Sequence, residues 1–125
     1  MNRGARVVAI AAAILGFSAV VLGALGSHLV DMNEQPDLQR IWQTASNIHL
    51  FHSATLLGLA ALLAGMTSRT LLWASWSMIA GTVIFCGSLY LRVASAEFST
   101  AAAPFGGVLL MAGWLLALLS FARKP

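Results

Sequence analysis

The sequence predicts an all-α integral membrane protein: four transmembrane helices in an antiparallel up-down bundle, with both termini cytoplasmic. Three observations carry this prediction. Of 125 residues, 59% are hydrophobic and only 9% charged, whereas a soluble domain needs about a quarter charged residues to face water. Four apolar runs recur, each long enough at about 1.5 Å per residue to cross a hydrocarbon core about 30 Å thick. The few charges fall between these runs rather than inside them. The same composition excludes a disordered chain, and the single cysteine excludes a disulfide-stapled secreted module.

The first span runs from about Val7 to Ser27 and holds no charged residue. Arg3 and Arg6 before it, and Gly23-Ala24-Leu25-Gly26 within it, resemble a secretion signal. Its apolar stretch exceeds the roughly 7–15 residues of a signal's hydrophobic region, so the span is expected to be retained. The second covers about Ile41 to Ala64. Its helix should begin near Pro36, which suits a first helical position because its missing N–H costs nothing there, with Asp37 at the positive helix end. It then projects about two turns beyond the hydrocarbon, and Trp42 lies where an interfacial aromatic belongs. Gly65 can stop this helix and Thr67 or Ser68 can cap the next, which makes a tight hairpin. The third span covers about Leu71 to Leu91 and the fourth about Ala101 to Ala122, with Ser99 or Thr100 as cap and Pro104 in the first turn. Connections this short make residues 1–125 one domain.

Orientation follows from the basic residues. Arg3, Arg6, Arg69, Arg123 and Lys124 fall on one side, and only Arg40 and Arg92 on the other, which places the termini in the cytoplasm. The four acids, Asp31, Glu34, Asp37 and Glu97, all lie opposite. A net charge of +3 does not indicate nucleic acid. Nucleic-acid binders cluster Lys and Arg on one face, whereas here they stand singly or in pairs between apolar runs, near anionic lipid headgroups.

Lipid tails are as apolar as Leu, so membrane helices associate through small residues and a few hydrogen bonds. At 100° per residue, one face of the first span carries Ala12, Gly16, Ala19, Gly23 and Ser27. The third carries Ala74, Ser77, Gly81 and Ser88, and the fourth Gly106, Gly113, Ala117 and Ser120. The second has a polar stripe of Ala45, Ser46, His49, His52, Ser53 and Ala60. One small face per helix implies a compact bundle without an aqueous pore. On this wheel Cys86 and Tyr90 fall opposite the third helix's small face, towards lipid or a partner if that face turns inward; for Cys86 the plainer role is a small buried hydrophobe. Arg92 shares the inward face and either pairs with Glu97 or Asp37 or snorkels.

His49 and His52 are the only ionisable groups well inside a span, apart from the nearly apolar Cys86 thiol. Charge is expensive there, so such residues are functional-site candidates by default. The i, i+3 spacing puts both on one face, and His28 ends the first span, so three histidines could converge near the outer surface. Neutral imidazoles in that arrangement suit a transition metal, a haem or the head of a quinone. The plainer reading is interhelical hydrogen bonding to Ser46, Ser53 or Ser88, with no cofactor as the default. The candidate ligand-binding set is therefore His28, His49, His52, Trp42, Ser53, Ser88 and Arg92. No carboxylate lies inside a span to serve a proton relay. No phosphate loop, dinucleotide fingerprint or nucleophile elbow is present, and no catalytic residue is assigned.

The order of short motifs resembles a family. Gly23-Ala24-Leu25-Gly26-Ser27-His28, Trp42-Gln43-Thr44-Ala45, His49-Leu50-Phe51-His52, Gly87-Ser88-Leu89-Tyr90, Pro104-Phe105-Gly106-Gly107 and Gly113-Trp114 are together similar to the YgdD / transmembrane protein 256 family of small inner-membrane proteins (domain of unknown function 423). Leu29 stands where that family often has Gly, and Ile48 where it often has Tyr. The resemblance implies a four-span inner-membrane protein whose first helix is kept, and it implies no activity. The expected role is an accessory or binding subunit of a larger membrane complex, or a homo-oligomer. The alternative is a redox or metal-handling protein. A small-solute channel is disfavoured by the narrow small-residue faces.

Overall fold

The computed structural model describes residues 1–29 and 34–123. Asp31 and Lys124, both used in the charge pattern, lie outside the described residues. Among those residues the chain folds into helices alone: α1 (Arg3–Leu29), α2 (Pro36–Gly65), α3 (Arg69–Ala94) and α4 (Ala103–Ala122). All four are long and apolar enough to cross a membrane.

The helix ends have local causes. Asn2 starts α1: its Oδ1 accepts from Ala5 N (2.8 Å) while its Nδ2 donates to Leu63 O (2.6 Å), which seats the start of α1 beside the end of α2. Pro36 opens α2 as the sequence predicts. Ser68 caps α3, accepting from Leu71 N at 3.1 Å, and its hydroxyl also meets Ser120 Oγ at 2.9 Å near the end of α4. The expected side-chain cap of α4 is not formed. Ala102 occupies the cap position, Ser99 Oγ accepts from Ala101 N, and Thr100 contributes its backbone carbonyl to Ala103 N. The tight turn before Pro104 satisfies those donors first, which leaves Ser99 and Thr100 outside the helix.

The helices form a row rather than a closed ring. α1 packs on α2, α2 on α3 and α3 on α4; α1 touches α3 only lightly, and α1 and α4 do not meet. The interior runs along this row, with Val8, Leu56, Leu71 and Met78 fully buried. The closest approach is between α3 and α4. A Cβ at Gly81 would stand 2.8 Å from Gly106 O and 2.9 Å from Leu110 N, and one at Gly106 would strike the Phe85 backbone. Ser77 Oγ donates to Leu109 O at 2.6 Å across the same seam. The small faces read for α3 and α4 are thus the surfaces that meet.

Two sequence expectations change here. Gly23 is not a packing point, since a Cβ there would meet nothing within 4 Å. The close approach lies one turn on, at Gly26, against the Trp42 indole. Cys86 is buried, as a small hydrophobe is expected to be, but on the face the wheel turned towards lipid. As an inner member of the row, α3 needs two contact faces. Ala74, Ser77 and Gly81 meet α4, while Thr82, Cys86 and Tyr90 line a cavity with α1 and α2.

Candidate functional site

α2 supplies the centre of the site because its polar stripe is the face it buries: Ala45, His49, His52 and Ser53 are all buried. His49 lies thirteen residues past Pro36, roughly 20 Å along the helix, and it reaches two neighbouring helices. Its Nε2 is 3.2 Å from Ser18 Oγ on α1, and its Nδ1 is 3.0 Å from Tyr90 Oη on α3. The proton placement follows from what else each group does. Ser18 donates its hydroxyl hydrogen to Leu15 O at 3.0 Å, so its oxygen accepts from His49 Nε2–H. That leaves Nδ1 as the acceptor for the Tyr90 hydroxyl, and a neutral imidazole satisfies both bonds.

Tyr90 continues the relay to Trp42, whose ring meets it edge-on at a centroid distance of 4.7 Å. The Trp42 indole N–H donates to Leu22 O at 2.8 Å, over the groove that Gly26 leaves in α1. About one turn of α1, from Ser18 to Leu22, is therefore tied to α2 directly and to α3 through His49.

His52 faces the other way along the row. Its Nδ1–H donates to Ile48 O at 2.9 Å, and its Nε2 accepts from the Trp114 indole N–H of α4 at 3.1 Å. The Phe51 ring packs against both, 5.4 Å from His52 and 6.1 Å from Trp114 between centroids. Through its two histidines α2 thus makes polar contacts with all three other helices.

A cavity of about 180 Å³ opens beside this relay, lined by Ser18, His49, Thr82, Cys86, Tyr90 and other residues of α1 and α3. Thr82 is fully buried, and among the described residues neither its hydroxyl nor the buried Ser46 hydroxyl has a hydrogen-bond partner. Buried hydroxyls are normally hydrogen-bonded, so this wall can accept a polar group from a small guest.

The remaining candidates are placed differently. His28 is exposed in the last turn of α1, ten residues and roughly 15 Å beyond Ser18 along the helix. Among the described residues, no three His, Cys, Asp or Glu side chains come together as metal ligands. Ser53 and Ser88 bond to their own helices, at His49 O (2.7 Å) and Phe85 O (2.9 Å), and do not serve the histidines. Arg92 is half-buried in the last turn of α3. Sequence reasoning missed Ser18 and Trp114 as histidine partners and set Tyr90 aside. Two signals stood in the sequence: Ser18 is the one hydroxyl in the interior of the first span, whose other serine, Ser27, ends it, and Tyr90 is the chain's one tyrosine.

Residues 22–107 match the family described as "Protein of unknown function (DUF423)". The chain belongs to the DUF423 family. It is 37% identical over 123 residues to the UPF0382 inner membrane protein YgdD of Escherichia coli K12, covering 94% of this chain and 91% of that one. A UPF0382 membrane protein of Staphylococcus epidermidis is 36% identical over 121 residues, covering 94% and 98%. One of Staphylococcus haemolyticus is 32% identical over 109 residues, covering 86% and 88%. No solved structure matches. The DUF423 match takes in Trp42, His49, His52 and Tyr90, while Ser18 and Trp114 lie outside it. With its four apolar helices, the chain is a small membrane protein of this family.

Proposed function

We propose that this DUF423 protein is a single-domain, four-span inner-membrane protein that acts as an accessory or binding subunit, beside a larger membrane complex or as a homo-oligomer. Its helices alternate in direction, which the contacts between the start of α1 and the end of α2 support, as do those between the start of α3 and the end of α4. The basic bias of Arg3, Arg6, Arg69 and Arg123 over Arg40 and Arg92 supports cytoplasmic termini. The relatives named as inner membrane proteins support the location.

The observation that carries the subunit reading is on the outside of α2. Ala54, Gly58, Ala61 and Gly65 recur at helical spacing and are all exposed, and Cβ atoms at Gly58 and Gly65 would meet nothing within 4 Å. This is the device that joins α3 to α4, left open on the surface. Close approach of a further helix needs such a groove. Co-purification in mild detergent tests the reading. Wild type is expected to carry a partner or a second copy, and Gly58→Leu to lose it with helix content unchanged. A wild type that runs as a lone monomer counts against it.

The cavity beside His49 favours a second reading, a membrane protein that binds a small ligand. His49 and His52 have both ring nitrogens hydrogen-bonded, so a metal or haem iron would have to displace one of those partners. A quinone head needs no such displacement, because the Thr82 hydroxyl can donate to its carbonyl. Organic extraction of protein purified from native membranes, with a visible spectrum and elemental analysis, separates these ligands. A colourless, metal-free and quinone-free preparation ends this reading.

A further inference from the structure

The end of α3 that begins at Arg69 presents two grooves with a shared wall. One, of about 540 Å³, lies between α3 and α4 and includes Thr70, Trp73, Trp76, Leu116 and Arg123; the other, of about 510 Å³, is lined by Arg69, Leu72, Trp73 and Trp76. Trp73 is 68% exposed and Trp76 44% exposed. An arginine stands at each groove, and Arg123 is fixed there, its Nη1 donating to Thr70 Oγ1 at 3.1 Å.

The four tryptophans divide by what their N–H groups do. Trp42 and Trp114 donate to Leu22 O and His52 Nε2 inside the protein. Among the described residues, Trp73 and Trp76 have no acceptor for theirs. The grooves therefore offer two guanidinium groups and two indole N–H donors. The acids of the described residues, Glu34, Asp37 and Glu97, lie in the connections preceding α2 and α4 or at the start of α2, away from this end.

Depth matches the layering of a phospholipid. Arg69 opens α3, Trp73 lies four residues in and Trp76 seven, or roughly 6 and 10 Å along the helix axis. A phosphate level with the arginines puts ester carbonyls near the first indole and acyl carbons against Trp76, Leu109 and Leu116. Indoles take this interfacial position because one end is apolar and the other polar. Basic sites between transmembrane helices favour anionic headgroups.

We propose that the grooves flanking Trp73 and Trp76 form a binding site for a phospholipid with an anionic headgroup, its phosphate held by Arg69 and Arg123. The site lies on the outer surface of the α3–α4 pair, apart from the His49 cavity and from the small-residue row of α2, so it stands independently of the proposed function.

Native mass spectrometry of the full chain, exchanged into micelles with equal phosphatidylglycerol and phosphatidylcholine, tests the proposal. Wild type is expected to retain phosphatidylglycerol with roughly a tenfold preference, a basic residue near an anionic surface being worth about fivefold. Arg69→Gln with Arg123→Gln should abolish that preference, Arg69→Lys with Arg123→Lys should keep most of it, and Arg40→Gln, exposed near the start of α2, should leave it unchanged. Equal retention of the two lipids by wild type overturns the proposal, and so does an unaltered preference in the double Gln variant. If that variant does not fold, the wild-type comparison decides alone.

Discussion

At the scale of the residue, His49 shows how a buried polar group becomes a structural tie. Its two ring nitrogens meet hydroxyls from different helices, and each bond replaces a contact that lipid could not supply. Interhelical hydrogen bonds in membranes average about 0.6 kcal/mol and reach about 1.7. Tyr90→Phe leaves Nδ1 without its donor, so it should lower stability by about 1 kcal/mol, read from the midpoint of unfolding in sodium dodecyl sulfate. Were Tyr90 to face lipid, as the helical wheel of α3 alone suggests, the midpoint would not move. Ser18→Ala should cost a similar amount. Because both residues act through one imidazole, the two losses should fall short of adding in the double variant. That His49 and His52 need polar partners was legible in the sequence, since ionisable groups in an apolar run stand out. Their partners were not, because a hydrogen bond between positions 18 and 49 or 49 and 90 depends on how three helices are rotated.

At the scale of the element, glycines separate packing read from pattern and packing seen in space. Gly81, Gly106 and Gly113 were legible as packing positions because α3 and α4 meet along their small faces. Gly106→Ala sets a Cβ against the Phe85 backbone, which has no side chain to swing away. Overpacking of this kind costs about 1–3 kcal/mol, and the loss should appear as a lower midpoint in the same unfolding measurement. On α1 the pattern chose Gly16 and Gly23, but a Cβ at Gly16 would make only an ordinary contact with Ser53 and one at Gly23 none, whereas the close approach is at Gly26, where the Trp42 indole lies over the helix. Gly26→Ala should therefore destabilise. Gly23→Ala, with open space around it, should be neutral or gain up to about 1 kcal/mol from helix propensity. Equal effects of the two substitutions would contradict the Trp42 seat. A run of small residues contains several equivalent faces, and only the large side chain arriving from α2 selects one.

At the scale of the whole molecule, the charge bias predicts a topology that reporter fusions can check. A fluorescent protein that matures only in the cytoplasm should light up when fused after the last residue of the chain and stay dark when inserted between α3 and α4. The opposite pattern would reverse the orientation. The row-like order of the helices was not legible. One small face per helix suggests a compact bundle in which each helix works through one face, but α1 and α4 do not meet and α3 works with two faces. That second face brings Thr82, Cys86 and Tyr90 to the cavity beside His49.

Composition and the spacing of apolar runs determined the number of helices, their approximate ends and the stripe of α2 that turns inward, because a bilayer core demands about 20 apolar residues per crossing and penalises unpaired polar groups. The tertiary structure alone decided which groups answer those polar residues: Ser18 and Tyr90 for His49, Trp114 for His52, and none among the described residues for Thr82. The physical reason is that lipid is indifferent to helix rotation among apolar faces. The angle of each helix about its axis is set by side-chain fit to its neighbours, which no single helix encodes.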